Sequence, residues 1–473
     1  MKNQTKIILA MVTASLLAGC GGDSSDDKKS TNTDNKTTNG KVIGSDDKNT
    51  TLTGDAGKTK PGDTNSSNTQ LHFKVFGNEG AFAALRSDGT VITWGGAEYG
   101  GESSSLDLTN VKTVVANNKA FSALKNDGTV LTWGRHDYGP DNFDATLSDV
   151  KAIYGTGHSF VALKNNGDLV SWGTTYLPAK VTPTPMPQNV TNVKEIYPTG
   201  EAYALLKTDG SVISWGNISQ SKVDYLLTNI ETIIGFNTTY VAINKDGEAL
   251  SWGKNASAGY FYNITDIKAI AASNSGLSFL KNDGTIKTVR MGGADGLKAD
   301  EISQLTEITQ LVSTEDAFAA LHKDGTVSLW GHKESGATPY IVGNSGTPTT
   351  GEEVILTNVK ALYATNSAFA ALKNDNSVVT WGYTFNGANS SEVELTNIKT
   401  IYSNEKAFAA LTLDATVITW GAYVYSAAQV DLTDVKDIQS NQNAFIAFKS
   451  DGTAATWGWA DHGGDSSKVD LNP

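Results

Sequence analysis

Residues 368–382 read AFAALKNDNSVVTWG, and residues 81–95 read AFAALRSDGTVITWG. Each is an apolar run, a polar turn and a second apolar run ending in Trp-Gly. Strand alternation puts Phe82 and Ala84 on one side of the first run and Ala81, Ala83 and Leu85 on the other. In the second run Ile92 and Trp94 share one face, and Val91 and Thr93 share the opposite one. Asp-Gly between two such runs is a hairpin signal, because Gly accepts φ > 0 and Asp tolerates it. Both faces of the hairpin are mostly apolar, so both must be covered.

The same ending recurs, with its Trp at Trp94, Trp133, Trp172, Trp215, Trp252, Trp330, Trp381, Trp420 and Trp457. A degenerate copy, FLKNDGTIKTVR at 279–290, carries Val289 and Arg290 in place of Trp-Gly. That makes ten units, most of them 37 to 43 residues apart, with a longer gap of 51 between Trp330 and Trp381. Asp holds the turn in nine of the ten, and Asn166 is the exception. A third apolar segment precedes each hairpin, as at 111–115, 151–154, 193–197, 359–363 and 398–402. A fixed period of this length marks a repeat architecture. Stacking each three-stranded unit on a copy at either side covers both faces. The expected fold is therefore all-β: a β-propeller, toroid or open arc, of about ten short antiparallel three-stranded blades, with the nine tryptophans as structural blade residues. A straight β-solenoid is the alternative, although its coils usually repeat at about 20–30 residues. The last residues, GGDSSKVDL at 463–471, resemble GGESSSLDL at 100–108, which leads into the strand at 111–115. The C-terminal segment is thus a natural lead-in to the first unit's strand at 73–76, as ring closure requires.

The string L-x-x-V-K-x-I followed by A-F-A-A-L-K-x-D-G-x-V-x-x-W-G resembles the repeats of the regulator of chromosome condensation family, over residues 71–473. In repeat length it is more similar to bacterial propeller-type β-lactamase inhibitory proteins. The resemblance implies a propeller and a binding function, and leaves the partner open. The family commonly has seven blades, whereas this chain has ten units.

Upstream of the repeats the composition changes. Residues 1–19 combine Lys2 and Lys6 with a short apolar stretch, the pattern of a secretory signal peptide. The end, Leu17-Ala18-Gly19-Cys20, resembles a bacterial lipoprotein lipobox, which implies cleavage before Cys20 and its lipidation. Gly21 after it favours the outer membrane, with the cell-surface or periplasmic face left open. Cys20 is the chain's one cysteine, so its lipidation leaves no thiol for a disulfide or a thiolate site. Residues 20–70 contain no Phe, Trp or Tyr and are expected to be a disordered tether. The net charge of −13 argues against nucleic-acid partners and against docking on anionic lipid, leaving the lipid anchor as the membrane contact.

No catalytic, metal or cofactor motif is found. His72, His136, His158, His322, His332 and His462 are scattered, and no nucleophile elbow or phosphate loop is present. What varies between units is the segment after each Trp-Gly. It carries Tyr99, Tyr138, Tyr176, Tyr260, Tyr262, Tyr383, Tyr425 and Trp459, with Phe261, Phe385 and Tyr423 nearby. Near-equivalent positions on a propeller would set such aromatics around one rim, where they could contact a partner or pack over the sheet ends. The insertion at 332–354 reads as a loop. The expectation is a non-enzymatic scaffold that binds a macromolecule, first of all a protein. The alternatives are an inhibitor of a secreted or periplasmic enzyme, and a carbohydrate-binding module.

Overall fold

The computed structural model describes residues 43–44, 73–174, 185–187, 190–218, 227–236, 238–253, 264–274, 276–290, 295–296, 299–342 and 354–471. The expected signal peptide, Cys20 and most of the expected tether lie outside them.

Each repeat unit forms an antiparallel three-stranded sheet ordered as in the chain. Ile43–Gly44, within the expected tether, Asp295–Gly296 and Ile341–Val342 add a fourth strand to the sheets of units five, seven and eight. In the first unit the strands are Phe73–Gly77, Ala81–Arg86 and Val91–Gly95. In the eighth they are Val359–Ala364, Ala368–Lys373 and Val378–Tyr383. The hairpin turns follow the expected chemistry. Asp127 Oδ1 accepts from both the backbone N–H and the hydroxyl of Thr129, and Gly128 sits at φ 83°. The recurring Val-Lys has its own cause. Val111 pairs with Lys125 and Thr113 with Leu124, so Lys112 is bulged out of the ladder, exposed. From the second unit on, the residue before the Val or Ile that opens each bulged strand is Asn, Asp or Glu with φ between 55° and 63°, as at Asn110, Asp149 and Glu307. Asn and Asp tolerate that region best among residues with a side chain.

The two faces of each hairpin pack as the alternation requires. Ala81, Ala83, Leu85 and Val91 meet Val111, Val114, Phe121 and Trp133 of the second unit. Phe82, Ala84 and Trp94 turn the other way and meet Ala444, Ile446 and Phe448 of the tenth. In nine units the aromatic of the second strand stacks on the tryptophan of the third, for example Phe82 on Trp94 at 5.2 Å and Phe369 on Trp381 at 5.2 Å. Burying a large aromatic pair at nine of the ten interfaces is a large apolar contribution to the ring.

The ring is closed. Ten apolar clusters each join neighbouring sheets. An open row of ten sheets would have nine such interfaces. The tenth joins unit ten to unit one, with Phe73 against Phe448 at 5.6 Å and Leu471 of the tail completing it. The tail takes the place that Gly100 to Leu108 fills at the next interface. Trp133 donates its indole N–H to Gly100 O at 3.0 Å, and Trp94 donates to Gly463 O at 3.1 Å. Gly463 has φ 96°, and a Cβ there would lie 2.6 Å from the Phe82 ring, so a side chain is excluded twice over. The open arc and the straight solenoid are both ruled out.

The first strands are innermost, and their side chains bond from unit to unit. Ser440 donates to Ser403 O, Ser403 to Ala364 O and Ser313 to Ala272 O.

Unit six shows why its Trp-Gly is dispensable. Both members of the aromatic pair change together: Leu277 faces Val289. Phe279, two residues along the same face, replaces the Ala found at 84, 123 and 162, and it is fully buried among Val241, Ile243 and Leu277. Its ring fills the space that the missing pair leaves, a volume-conserving exchange. In the insertion, Ile341–Val342 pairs in parallel with Gly382 and Tyr383, so part of the expected loop is a fourth strand on unit eight.

Candidate functional site

The turn joining first and second strands lies at the same end of the ring as the segment after Trp-Gly, because Ala81 pairs with Gly95. A short polar residue opens that turn. Asn78 Oδ1 accepts from the backbone N–H groups of Gly80 and Ala81, and Asn78 Nδ2 donates to Tyr99 O at 2.7 Å. Asn117 does the same for Tyr138, and Asn441 for His462. Thr314 and Thr365 hold Ser335 and Asn386 through their hydroxyls. The residue five past the tryptophan is therefore pinned beside the turn, whatever its side chain.

The next residue of each turn bonds to its neighbour around the ring. Glu79 N donates to Asn118 O, Asn118 N to Gly157 O and Gly157 N to Gly200 O, at 3.1, 3.1 and 2.9 Å. On the far side Asn274 N donates to Glu315 O, Glu315 N to Asn366 O and Asn366 N to Glu405 O. Asn443 Nδ2 donates to Glu79 O and carries the collar across the seam.

Over this collar runs an arc of rings from unit eight to unit three. Phe385 meets Tyr423 edge-on at 6.2 Å, and Tyr423 stacks on Trp459 at 4.9 Å. Trp459 stacks on His462 at 3.8 Å, and His462 packs on Tyr99 at 5.1 Å. Lys119 Nζ lies between Tyr99 and Tyr138, at 5.5 and 5.7 Å from the ring centres, and pairs with Glu79 at 3.8 Å. Tyr138 packs on His158 at 5.1 Å. Lys406 sits 5.6 Å from the Tyr423 ring, and Arg135 lies over Tyr138 while pairing with Asp137 and Glu98. Phe385 and Trp459 are the exposed members, at 51% and 38%. Tyr423 has φ 61°, the left-handed region where a bulky side chain is strained.

Burial governs the ionisable groups here. It pushes the Glu79 carboxyl up to about 7 against the pull of Lys119 and Arg135. It pushes Glu405 up to about 7, against Lys406 and with help from Glu79. It holds His462 down to about 4, lowers His158 and raises the Tyr99 phenol.

Of the aromatics singled out in the sequence, the arc contains Tyr99, Tyr138 and Trp459. The two tyrosines are half-buried, combining packing between blades with a place at the mouth. Tyr383 ends a third strand and is half-buried. Tyr425 opens a short 3-10 turn, Tyr425–Gln429. Tyr176, Tyr260 and Tyr262 lie outside the described residues. The pinned position carries Ser335 in unit seven and Asn386 in unit eight, so the aromatics form an arc and not a full circle. Sequence reasoning passed over His462, Lys119, Lys406, Glu79 and Glu405 in this role. Their signal was the variable pair of residues between a constant Asn or Thr and the second strand. Among the described residues no group of three His, Cys, Asp or Glu side chains could hold a metal.

The fold defines the chain as a repeat β-propeller. No family model matches it, and no curated protein matches it. Solved structures similar to it include the CRINKLY WD40 ectodomain of the Arabidopsis thaliana receptor kinase ACR4, at 15% identity over 58% of this chain and 95% of that one, with a TM-score of 0.30. Another is Prp20p of Saccharomyces cerevisiae, whose structure was reported with its binding to Gsp1p and histones, at 12% identity over 76% and 85%, with a TM-score of 0.30. A third is the computationally designed Ika8 protein, at 14% identity over 74% and 96%, with a TM-score of 0.31. At these scores the ring is best read from its own ten sheets.

Proposed function

We propose that this chain is a non-catalytic scaffold that binds another protein through the aromatic arc at one end of its ring. The observation that carries the reading is the stacked series Phe385, Tyr423, Trp459 and His462. Its rings hold one another in place, so a partner would meet apolar area already ordered, at little entropy cost. Strain at Tyr423 supports the same reading, since a left-handed tyrosine is retained against a local cost. The stacking also bears on the class of partner. Trp459 stacks on both Tyr423 and His462, which leaves less open ring face for a sugar to stack on. A protein partner is favoured over a carbohydrate.

In this reading Cys20 is lipidated and holds the ring at the outer membrane through the segment that follows it. The test is capture from envelope extracts. The intact ring should retain a discrete protein partner that the Phe385→Ala/Trp459→Ala variant loses while its Tm stays within a few degrees. Equal capture by both would overturn the reading.

A further inference from the structure

The collar under the arc has an excess of buried acceptors. Glu405 is 9% exposed and makes no ion pair among the described residues. Its neighbour Lys406 is turned to the Tyr423 ring. Asn366, 8% exposed, directs its Nδ2 toward Glu315 at 3.5 Å, and its Oδ1 is buried without a partner. Asn443, also 8% exposed, spends its Nδ2 on Glu79 O, and its Oδ1 too is buried without a partner. These two contacts fix which end of each amide is the oxygen. Asn118 is fully buried with neither amide atom partnered. The bonds from Asn366 to Glu405, from Asn443 to Glu79 and from Glu79 to Asn118 set all these groups on the same collar.

Buried amide oxygens and a buried carboxyl without a contact ion pair are costly unless something donates to them. Among the described collar residues, three unpartnered amide oxygens and one carboxyl stand against one unpartnered amide donor, Asn118 Nδ2. The complement is a donor-rich cation. Ten tips spaced like hydrogen-bonded strands, ~4.8 Å apart, lie on a circle roughly 15 Å across, a size for a side chain or small cation and not for a folded element. The net charge of −13 attracts such a group from a distance.

We infer that the axial mouth is a subsite for a guanidinium or ammonium group, seated against Glu405 of unit nine and the amide oxygens of Asn366 and Asn443 in the units on either side of it. This rests on the protein-binding reading, and makes the group a basic side chain of the partner. The arc provides the surrounding apolar contact and the collar selects the charge.

Calorimetric titration of the full-length protein with arginine amide tests the subsite without needing the partner. Citrulline amide, which has nearly the same shape and no charge, is the comparison. Arginine amide should bind one per ring, at least tenfold more tightly than citrulline amide, and at least tenfold more weakly to Glu405→Gln. Absence of binding to the unmodified ring, equal affinity for citrulline amide, or unchanged affinity in Glu405→Gln would each overturn the inference. Phe385→Ala/Trp459→Ala should still bind arginine amide. If that variant keeps the cation and also keeps the partner, the arc reading fails while the subsite stands.

Discussion

Trp94 donates its indole N–H to the carbonyl of Gly463, a residue 369 positions later, across the interface of first and tenth blades. The contact copies one made at other interfaces within a single stretch of chain, as between Trp133 and Gly100. Closure is thus sequence-local chemistry repeated once at long range. Loop-closure entropy makes the final interface the most expensive to form.

The seam should be the ring's weak point. Leu471→Ala leaves a cavity beside Phe73 and Trp94 and should cost about 2–3 kcal/mol. Truncation after residue 462 should cost more, since it removes Gly463 and Leu471 together. Denaturant unfolding of the two variants checks this. Unchanged midpoints would mean that the seam contributes nothing.

Blade six offers a reciprocal test of packing. Restoring the aromatic pair with Leu277→Phe/Val289→Trp should destabilise the ring by about 1–3 kcal/mol through overcrowding, because Phe279 already occupies the space. Adding Phe279→Ala should recover most of the loss. Thermal melts in which the triple variant is no better than the double would refute the compensation.

The buried glutamates link stability to pH. Glu405 and Glu79 titrate at about 7 in the folded ring, above their ordinary 4.5, so the folded state holds more protons than the unfolded one between pH 4.5 and 7. Their contribution to stability is full below pH 4.5 and falls as pH rises to 7, by up to ~3 kcal/mol each. Lys119, Arg135 and Lys406 face these carboxyls and limit the fall. His462 acts oppositely: held down to about 4, it adds stability as pH rises from 4 to 6.5. Comparison with Glu405→Gln isolates one carboxyl. The variant should gain stability relative to the unmodified ring between pH 5 and pH 8. A difference independent of pH would contradict the assignment.

Tyr423 separates binding from stability. Tyr423→Gly relieves a left-handed tyrosine, worth about 1 kcal/mol or more, yet removes the ring between Phe385 and Trp459. Tm should change little, whereas partner capture should drop at least tenfold. Loss of both together would make Tyr423 a folding residue only.

Much of the blade was legible in the sequence, because its signals are local. Alternation assigned Phe82 and Ala84 to one face of their strand and Leu85 to the other, and the faces pack that way. Similarity of 463–471 to 100–108 carried the seam, since the same residues fill the same place. The arc was less legible. Tyr99 and Tyr138 stood out by their spacing from tryptophan. His462 shares their spacing, five past Trp457, but a histidine there read as one of six scattered ones, and no spacing reveals its ring contact with Tyr99. The buried state of Glu405 and Asn118 was hidden for a further reason. Polar residues in a turn read as exposed, and only the narrowness of a closed collar buries them.

The most direct test of the central claim is a hydrogen-exchange footprint of the captured partner on the ring. Slowed exchange confined to residues 97–100, 383–387, 421–425 and 459–463 is the predicted result. Protection at the Asp-Gly turns of the opposite end, such as 86–90 and 125–129, with none along the arc, would contradict it.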